Sequence, residues 1–172
     1  MKARFEKVAG SRRRARLRSV GLWVLLATVP ALVAAAEGVR GEVTVDGTRV
    51  VLAYGRASAT TMGGDDPVTF VLLTEKPVSG GPEGDMAAMR GDGGAMIALH
   101  LRASGKIYQA LGLHSEANPT FPSDLPAESL RVSDLRLEGG RIAAVVESPA
   151  EFLSDGDRWQ FRVELDLPVA TD

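Results

Sequence analysis

The chain has no cysteine, two histidines and few aromatic residues among its 172 residues. Without cysteine it forms no disulfide and no thiolate zinc site, and two histidines alone give no recognisable zinc spacing. Two Trp and two Tyr are too few for a row of aromatic platforms that stack on sugars. No Gly-x-Ser-x-Gly segment is present, which excludes the common hydrolase elbow, and no glycine-rich stretch between a strand and a helix supports nucleotide binding.

The sequence also lacks an apolar run long enough to span a membrane. Its most apolar stretch, Val20–Val33, has 14 residues, whereas a spanning helix needs about 20. Eight Lys/Arg precede this stretch and Ala34–Ala36 follows it, which is the order of a secretory signal peptide. We therefore predict a signal peptide over residues 1–36, a mature chain over residues 37–172, and a periplasmic or secreted location. The alternative is an uncleaved N-terminal anchor with its basic flank inside.

Positive charge is scarce in the predicted mature chain. Eight of the 20 Lys/Arg but only one of the 22 Asp/Glu lie in residues 1–36, so residues 37–172 carry 12 basic and 21 acidic side chains and a net charge of −9. Nucleic acids and anionic membranes attract basic surfaces, which makes both poor candidates as partners. The predicted partner is an unknown protein or small-molecule ligand, with no nucleic acid and no membrane span after processing.

Alternating apolar and polar residues predict strands in most of this mature chain. Glu42–Tyr54 is typical of a hairpin in which Asp46-Gly47 forms a type I′ turn, because that turn needs positive φ at both central residues. Val68–Thr74 is apolar on both faces, as in a central strand. Two further hairpins are predicted, over Ala95–Leu113 and Ser129–Glu147.

Two details of the strand pattern give sharper predictions. Trp159–Leu167 alternates throughout, with apolar side chains on one face and polar ones on the other, and we predict that Pro168 ends this strand because it cannot donate a ladder hydrogen bond. In Ser129–Leu137 the apolar residues change parity part-way. A β-bulge near Ser133-Asp134 is therefore predicted.

Glycine and proline mark three loops, Gly63–Pro67, Glu75–Gly94 and His114–Pro126. Within the second loop we predict one helical turn, Asp85–Met89, with Asp85 as its cap. Phe121 in the third loop is predicted to plug the edge of the core. Long loops in compact domains are often functional, so we predict a functional surface at the end that carries Glu75–Gly94, together with Gly63–Pro67.

Hairpin connections and the absence of a long amphipathic helix in the mature chain favour an all-β fold over a βαβ fold. We predict an antiparallel β-sandwich of seven or eight strands, forming a single domain over residues 37–172, with a partly closed β-barrel as the alternative. A domain of this size buries enough apolar surface to fold without disulfides.

Three functions stay open at this stage. The first is a binding or interaction module of the bacterial envelope. The second is an envelope hydrolase with an unrecognised site that uses His100 or His114. The third is a calcium-stabilised domain that uses Asp65-Asp66 or Asp155-Gly156-Asp157, although neither completes an EF-hand pattern. No motif assigns a catalytic, cofactor-binding or metal residue, and no cofactor is predicted.

The first hairpin and the segment after it also carry a resemblance. Gly-x-Val-x-Val-Asp-Gly-x-x-Val-x-Leu-x-Tyr begins at Gly41, and Val68–Thr74 and Lys76-Pro77-Val78 follow it. Over Gly41–Val78 this arrangement resembles small exported bacterial β-domains of uncharacterised function. The resemblance implies an exported β-domain and carries over no site residue.

Overall fold

A computed structural model describes residues 38–63, 66–117 and 121–171, all within one compact unit of the chain. The signal peptide predicted over residues 1–36 lies outside the described residues. The described part contains eleven strands, one α-helix and one 3₁₀ turn. These are β1 (Val39–Val45), β2 (Thr48–Leu52), β3 (Tyr54–Met62), β4 (Asp66–Thr74), α1 (Gly81–Met89), β5 (Met96–Leu101), β6 (Ile107–Leu113), β7 (Ser123–Asp124), the 3₁₀ turn Ala127–Ser129, β8 (Arg131–Glu138), β9 (Arg141–Glu147), β10 (Phe152–Ser154) and β11 (Asp157–Ala170).

The strands form two layers joined through β11. The first sheet has the antiparallel order β2-β1-β11-β9-β8, and β10 pairs with the start of β11. The second sheet has the antiparallel order β3-β4-β5-β6-β7. The last two residues of β11 run parallel to β3, where Val169 pairs with Ala57 and Ala170 with Ser58. Among the described residues the sheet does not close into a barrel, and the all-β sandwich prediction is confirmed.

The number of strands differs from the predicted seven or eight. At Ala53 the chain leaves the first sheet for the second, where its N–H donates to the Thr74 carbonyl at 3.1 Å. The residues that follow the Asp46-Gly47 turn therefore form two strands, β2 and β3, in different sheets. The short strands β7 and β10 have two and three residues, which is too short for a period-2 pattern to appear.

The main core lies between the two sheets. Along β11 every second side chain is buried in it, as the alternation predicts. The inward residues of β11 are Trp159, Phe161, Val163, Leu165 and Leu167. A smaller second core lies on the outer face of the second sheet under α1, and it contains Phe70, Leu72, Ala88, Met96, Ala98 and Leu113. Strand β4 faces both cores, which confirms the prediction that Val68–Thr74 is a central strand.

The observed helix is longer than the predicted turn, and the prediction that Asp85 caps it is wrong. Helix α1 begins at Gly81 with Gly80 as its N-cap, so Asp85 lies inside the helix. The Gly81-Pro82 pair looks like a loop signal in the sequence. Proline is nevertheless favoured in the first turn of a helix, where its missing N–H costs nothing.

The prediction that Pro168 ends the last strand is wrong. Strand β11 continues to Ala170, and Pro168 pairs with Arg141 of β9. Its missing N–H faces the opposite edge, where pairing with β1 has ended at Val39 and pairing with β3 begins only at Ala57. No ladder hydrogen bond is lost there, so the strand tolerates proline.

The predicted bulge is confirmed in β8. Ser133 pairs with Val145 and Arg136 with Ala143, so two residues of β8 lie opposite the single Ala144 of β9. Asp134 adopts a positive φ of 54°, as a bulged residue often does. The bulge explains why the apolar residues of this strand change parity.

The first hairpin has the predicted turn. Asp46 and Gly47 have φ values of 47° and 85°, as a type I′ turn requires. The Asp46 carboxylate also accepts the Arg158 N–H at 3.1 Å, which ties the turn to β11.

Replacing Gly47 tests this turn by backbone strain alone. A Cβ at Gly47 would meet no heavy atom within 4 Å, so Gly47→Val should lose about 1–2 kcal/mol of stability only because valine resists positive φ. Urea unfolding measures the loss. Asp46→Asn is the control, since asparagine tolerates this conformation and can still accept the Arg158 N–H. Equal midpoints for Gly47→Val and the unmodified protein would contradict the turn assignment.

Candidate functional site

A cleft opens at the end of the sandwich where β4 and β6 finish. Its volume is about 310 Å³, at the lower limit of small-molecule sites. We call it the end cleft, and it is lined by Val50, Glu75, Lys76, Gly91, Gly94, Ala95, Leu113, His114 and Ser115. It includes both limbs of the Glu75–Gly94 loop, so this loop borders a concave surface.

Glu75 is the best-held charged group of the end cleft. Its Oε2 accepts the Ala95 N–H at 3.1 Å, and its own N–H donates to the Ala95 carbonyl at 2.9 Å. Gly94 leaves the space for this carboxylate, because a Cβ there would lie 2.3 Å from Oε2. The second oxygen, Oε1, lies 3.9 Å from Lys76 Nζ. The carboxylate is therefore fixed by backbone while Oε1 faces an exposed lysine.

His114 lies beneath the cleft and is fully buried. Its Nδ1 accepts the Glu116 N–H at 3.1 Å, so the neutral ring carries its proton on Nε2. No described residue accepts a hydrogen bond from that Nε2. The imidazole ring packs against the Trp159 indole in a T-shaped arrangement, with the ring planes at 79° and the ring centroids 6.5 Å apart. His114 therefore borders the end cleft while its ring exposes no surface to solvent.

The surroundings of His114 predict that stability falls in mild acid. Burial lowers the pKa of His114 below its ordinary 6.5, although the nearby Glu116 and Glu75 carboxylates oppose this shift. The unfolded chain therefore binds more protons than the native state below pH 6.5, and the stability present above that pH is lost as pH falls toward the lowered pKa. Urea midpoints at about pH 7.5 and about pH 5.5 measure the loss, which should be smaller for His114→Gln. If the difference between the two pH values is the same for His114→Gln, then His114 binds the same number of protons in the native and unfolded chains, which contradicts a lowered pKa.

The prediction that Phe121 plugs the edge of the core is wrong. Its side chain is 72% exposed. Ser123 of β7 pairs with Gly112 of β6, so Phe121, two residues earlier, lies at the same end of β6 as His114. Leu125 fills the core position in this segment instead. An exposed phenylalanine thus lies at the same end of the sandwich as the end cleft.

The two loops predicted to share one functional surface lie at opposite ends of the sandwich. Gly63 precedes the start of β4 at Asp66, while Glu75 follows its last residue, Thr74. Eight steps along a strand separate these ends by about 26 Å. At the far end Asp66 pairs with Arg102 at 2.6 Å, and the Arg102 guanidinium lies over the Tyr108 ring. Of these two loops, the Glu75–Gly94 loop is the one whose described residues line the end cleft.

His100 lies away from the end cleft. It occupies the outer face of the second sheet while Leu99 and Leu101 enter the main core, as their opposite parity predicts. Its ring packs on Phe70 with centroids 5.0 Å apart, and burial lowers its pKa. Within the described chain, no serine or threonine hydroxyl hydrogen-bonds to either histidine.

The acidic segments considered for calcium have other roles. Asp155-Gly156 is the turn between β10 and β11, with positive φ at both residues, and Asp66 pairs with Arg102. A search of the described residues finds no group of three or more His, Cys, Asp or Glu able to hold a metal ion. Asp65 lies outside the described ranges.

Two larger hollows, of about 350 and 440 Å³, lie on the outer face of the first sheet. Charges of both signs line them, and two of the lining acids form ion pairs, Glu147 with Arg162 and Asp166 with Arg141. Three of these four side chains are more than half exposed, and exposed ion pairs contribute little energy. The end cleft is the better candidate because its carboxylate is held by backbone.

No protein-family model, curated protein or solved structure matches this chain. The helices found in that part of the chain are all too short or too polar to cross a lipid bilayer.

Proposed function

We propose that the protein is an exported module of the bacterial envelope that binds a protein partner through the end cleft. The exposed Phe121, at the same end of the sandwich as the cleft, carries this proposal. Large aromatic side chains are enriched at the centre of protein interfaces, where they contribute much of the binding energy. The cleft is small for a drug-sized ligand, so a side chain or short segment of a protein is the better fit.

The charge of the end cleft adds a second requirement on the partner. Glu75 presents an oxygen that no backbone group occupies, and the predicted mature chain is acidic overall. A partner with a basic or hydrogen-bond-donating group next to an apolar one would pair with Glu75 while it covers Phe121. The basic N-terminal residues and the small residues of Ala34–Ala36 support export, which would bring the protein to partners in the bacterial envelope.

The two histidines support binding over hydrolysis. His114 is sealed from solvent and His100 stacks on Phe70 at a separate place. A rigid sandwich with a recognition surface at one end is the common arrangement of binding modules built on β-sheets.

Capture from an envelope extract tests the proposal through three matched variants. Phe121→Ser should weaken binding of the captured partner by about thirtyfold, as loss of an interface hot spot does. Glu75→Gln, which keeps an acceptor for Ala95, should weaken it to a smaller extent. Tyr108→Ser removes an exposed aromatic residue from the opposite end and should leave binding unchanged.

The same variants provide the result that contradicts the proposal. If the partner binds Phe121→Ser and Tyr108→Ser equally well, the end cleft is not the binding surface. Thermal melting of each variant measures any loss of fold separately from the loss of binding, and neither Phe121 nor Tyr108 belongs to a core.

A further inference from the structure

Residues 77–92 form a flap over the outer face of the second sheet. Hydrogen bonds at its base close it on both sides, from Glu75 N–H to the Ala95 carbonyl and from Lys76 N–H to the Gly93 carbonyl, each at 2.9 Å. Helix α1 lies within the flap and covers the second core. The flap is thus a compact loop with a fixed neck and its own contact surface.

Helix α1 has little intrinsic stability. It has nine residues, and Gly81, Pro82 and Gly84 are three of its first four. Isolated helices shorter than about 12 residues are marginal in water even with good helix formers. Only the small residues Gly84 and Ala88 are buried on the sheet. The position of α1 therefore depends on a few contacts rather than on a large apolar face.

One of these contacts is an ion pair with Arg56 of β3. The Arg56 guanidinium donates to the Asp85 carboxylate of α1 and to the Ser79 carbonyl. Both charged side chains are more than two-thirds buried, at 24% and 31% exposed. This pair clamps the flap onto the sheet.

A cavity of about 210 Å³, the flap pocket, opens beside the clamp. Its walls include Tyr54, Arg56, Leu72, Pro77 and Val78. Arg56 is the only charged residue among the described residues that line it. Leu72 and Val78 belong to the second core or pack against it, so the pocket leads from one guanidinium into an apolar layer. Met89 and Met96 in that layer are flexible side chains that adapt to irregular shapes.

We propose that the flap pocket binds an amphipathic carboxylate with a linear alkyl chain. The ligand carboxylate takes the place of Asp85 on Arg56, since arginine binds carboxylates through two parallel N–H donors. The alkyl chain lies on Leu72 and Val78 beneath α1. Asp85 is then an internal competitor that holds the flap closed in the absence of ligand. This site does not depend on the end cleft or on its proposed partner.

Calorimetric titration of the purified protein with three probes of equal chain length tests the ligand class. Octanoate should bind, octan-1-ol should bind at least about tenfold more weakly, and octylamine should not bind, because only octanoate offers a carboxylate to Arg56. Equal affinity for octanoate and octan-1-ol, or the absence of octanoate binding, would overturn the proposal.

Two variants that break the same clamp separate the roles of its partners. Asp85→Asn removes the competitor and should tighten octanoate binding, whereas Arg56→Gln removes the receptor and should weaken it by about tenfold or more. Both variants loosen the flap, so a change caused by looseness alone would have the same direction in both. Octanoate affinities that shift in the same direction for the two variants would therefore refute the role of Arg56. Failure of the end-cleft capture would leave this result untouched.

Discussion

Val163→Asp should leave the protein largely unfolded at 25 °C. Val163 is fully buried at the middle of β11, where it faces the main core between Gly41 of β1 and Val146 of β9. An aspartate there has no charged or hydrogen-bonding partner, and burying an unpaired carboxylate costs more than about 4 kcal/mol. This is close to the whole stability of many domains, about 5–15 kcal/mol. Loss of the cooperative urea transition and of the near-ultraviolet circular dichroism signal measures the effect.

Gln160→Asp is the matched control for this substitution. Gln160 lies on the same strand but on its exposed face, so the same carboxylate meets water and should change stability by about 0.5 kcal/mol or less. If both variants unfold, or if both fold, then β11 does not have one buried and one exposed face, and the sandwich described above is incorrect.

Gly112→Val should destabilise the protein by about 3 kcal/mol through crowding of Trp159. A Cβ at Gly112 would lie 2.7 Å from Cζ3 and 2.9 Å from Cη2 of the indole. Trp159 is fully buried between the sheets and cannot move aside without displacing its neighbours. Urea unfolding followed by the fluorescence of Trp159 measures both the loss and any shift of the indole toward water.

Gly80→Ala serves as the control for added side-chain volume. Gly80 has an ordinary φ of −72° and a Cβ there would meet no heavy atom within 4 Å. The only expected cost is a poorer helix N-cap, at most about 1 kcal/mol. If Gly112→Val loses no more stability than Gly80→Ala, then the Trp159 indole does not pack against Gly112 and Leu125 as described.

The sequence predicts the parts of the fold that depend on neighbours along the chain. The alternation in β11 appears because one environment faces each side of the strand over its whole length. The turn at Asp46-Gly47 and the bulge at Asp134 also follow from local residue types. The prediction that Pro168 ends β11 is wrong because the effect of a proline depends on whether a neighbouring strand faces its missing N–H. No local sequence pattern shows this.

The candidate site is predictable only as a region. The density of glycine and proline indicates the Glu75–Gly94 loop, and the end cleft is there. The hydrogen bond from Ala95 to Glu75, the burial of His114 and the exposure of Phe121 depend on how distant strands pair, so the sequence offers no signal for them. The ion pair between Arg56 and Asp85 joins residues 29 positions apart, beyond the reach of any periodicity.

The pairing of β1 with β11 has a consequence for how the chain acquires its structure. Val45 lies opposite Trp159, so the ladder of the earliest described strand is completed only after the chain has been synthesised through β11. Closing so long a segment makes β-rich chains slow to fold. Until β11 has been synthesised, β1 and β2 can pair only with each other, and their apolar side chains stay exposed to water. Such a state is prone to aggregation.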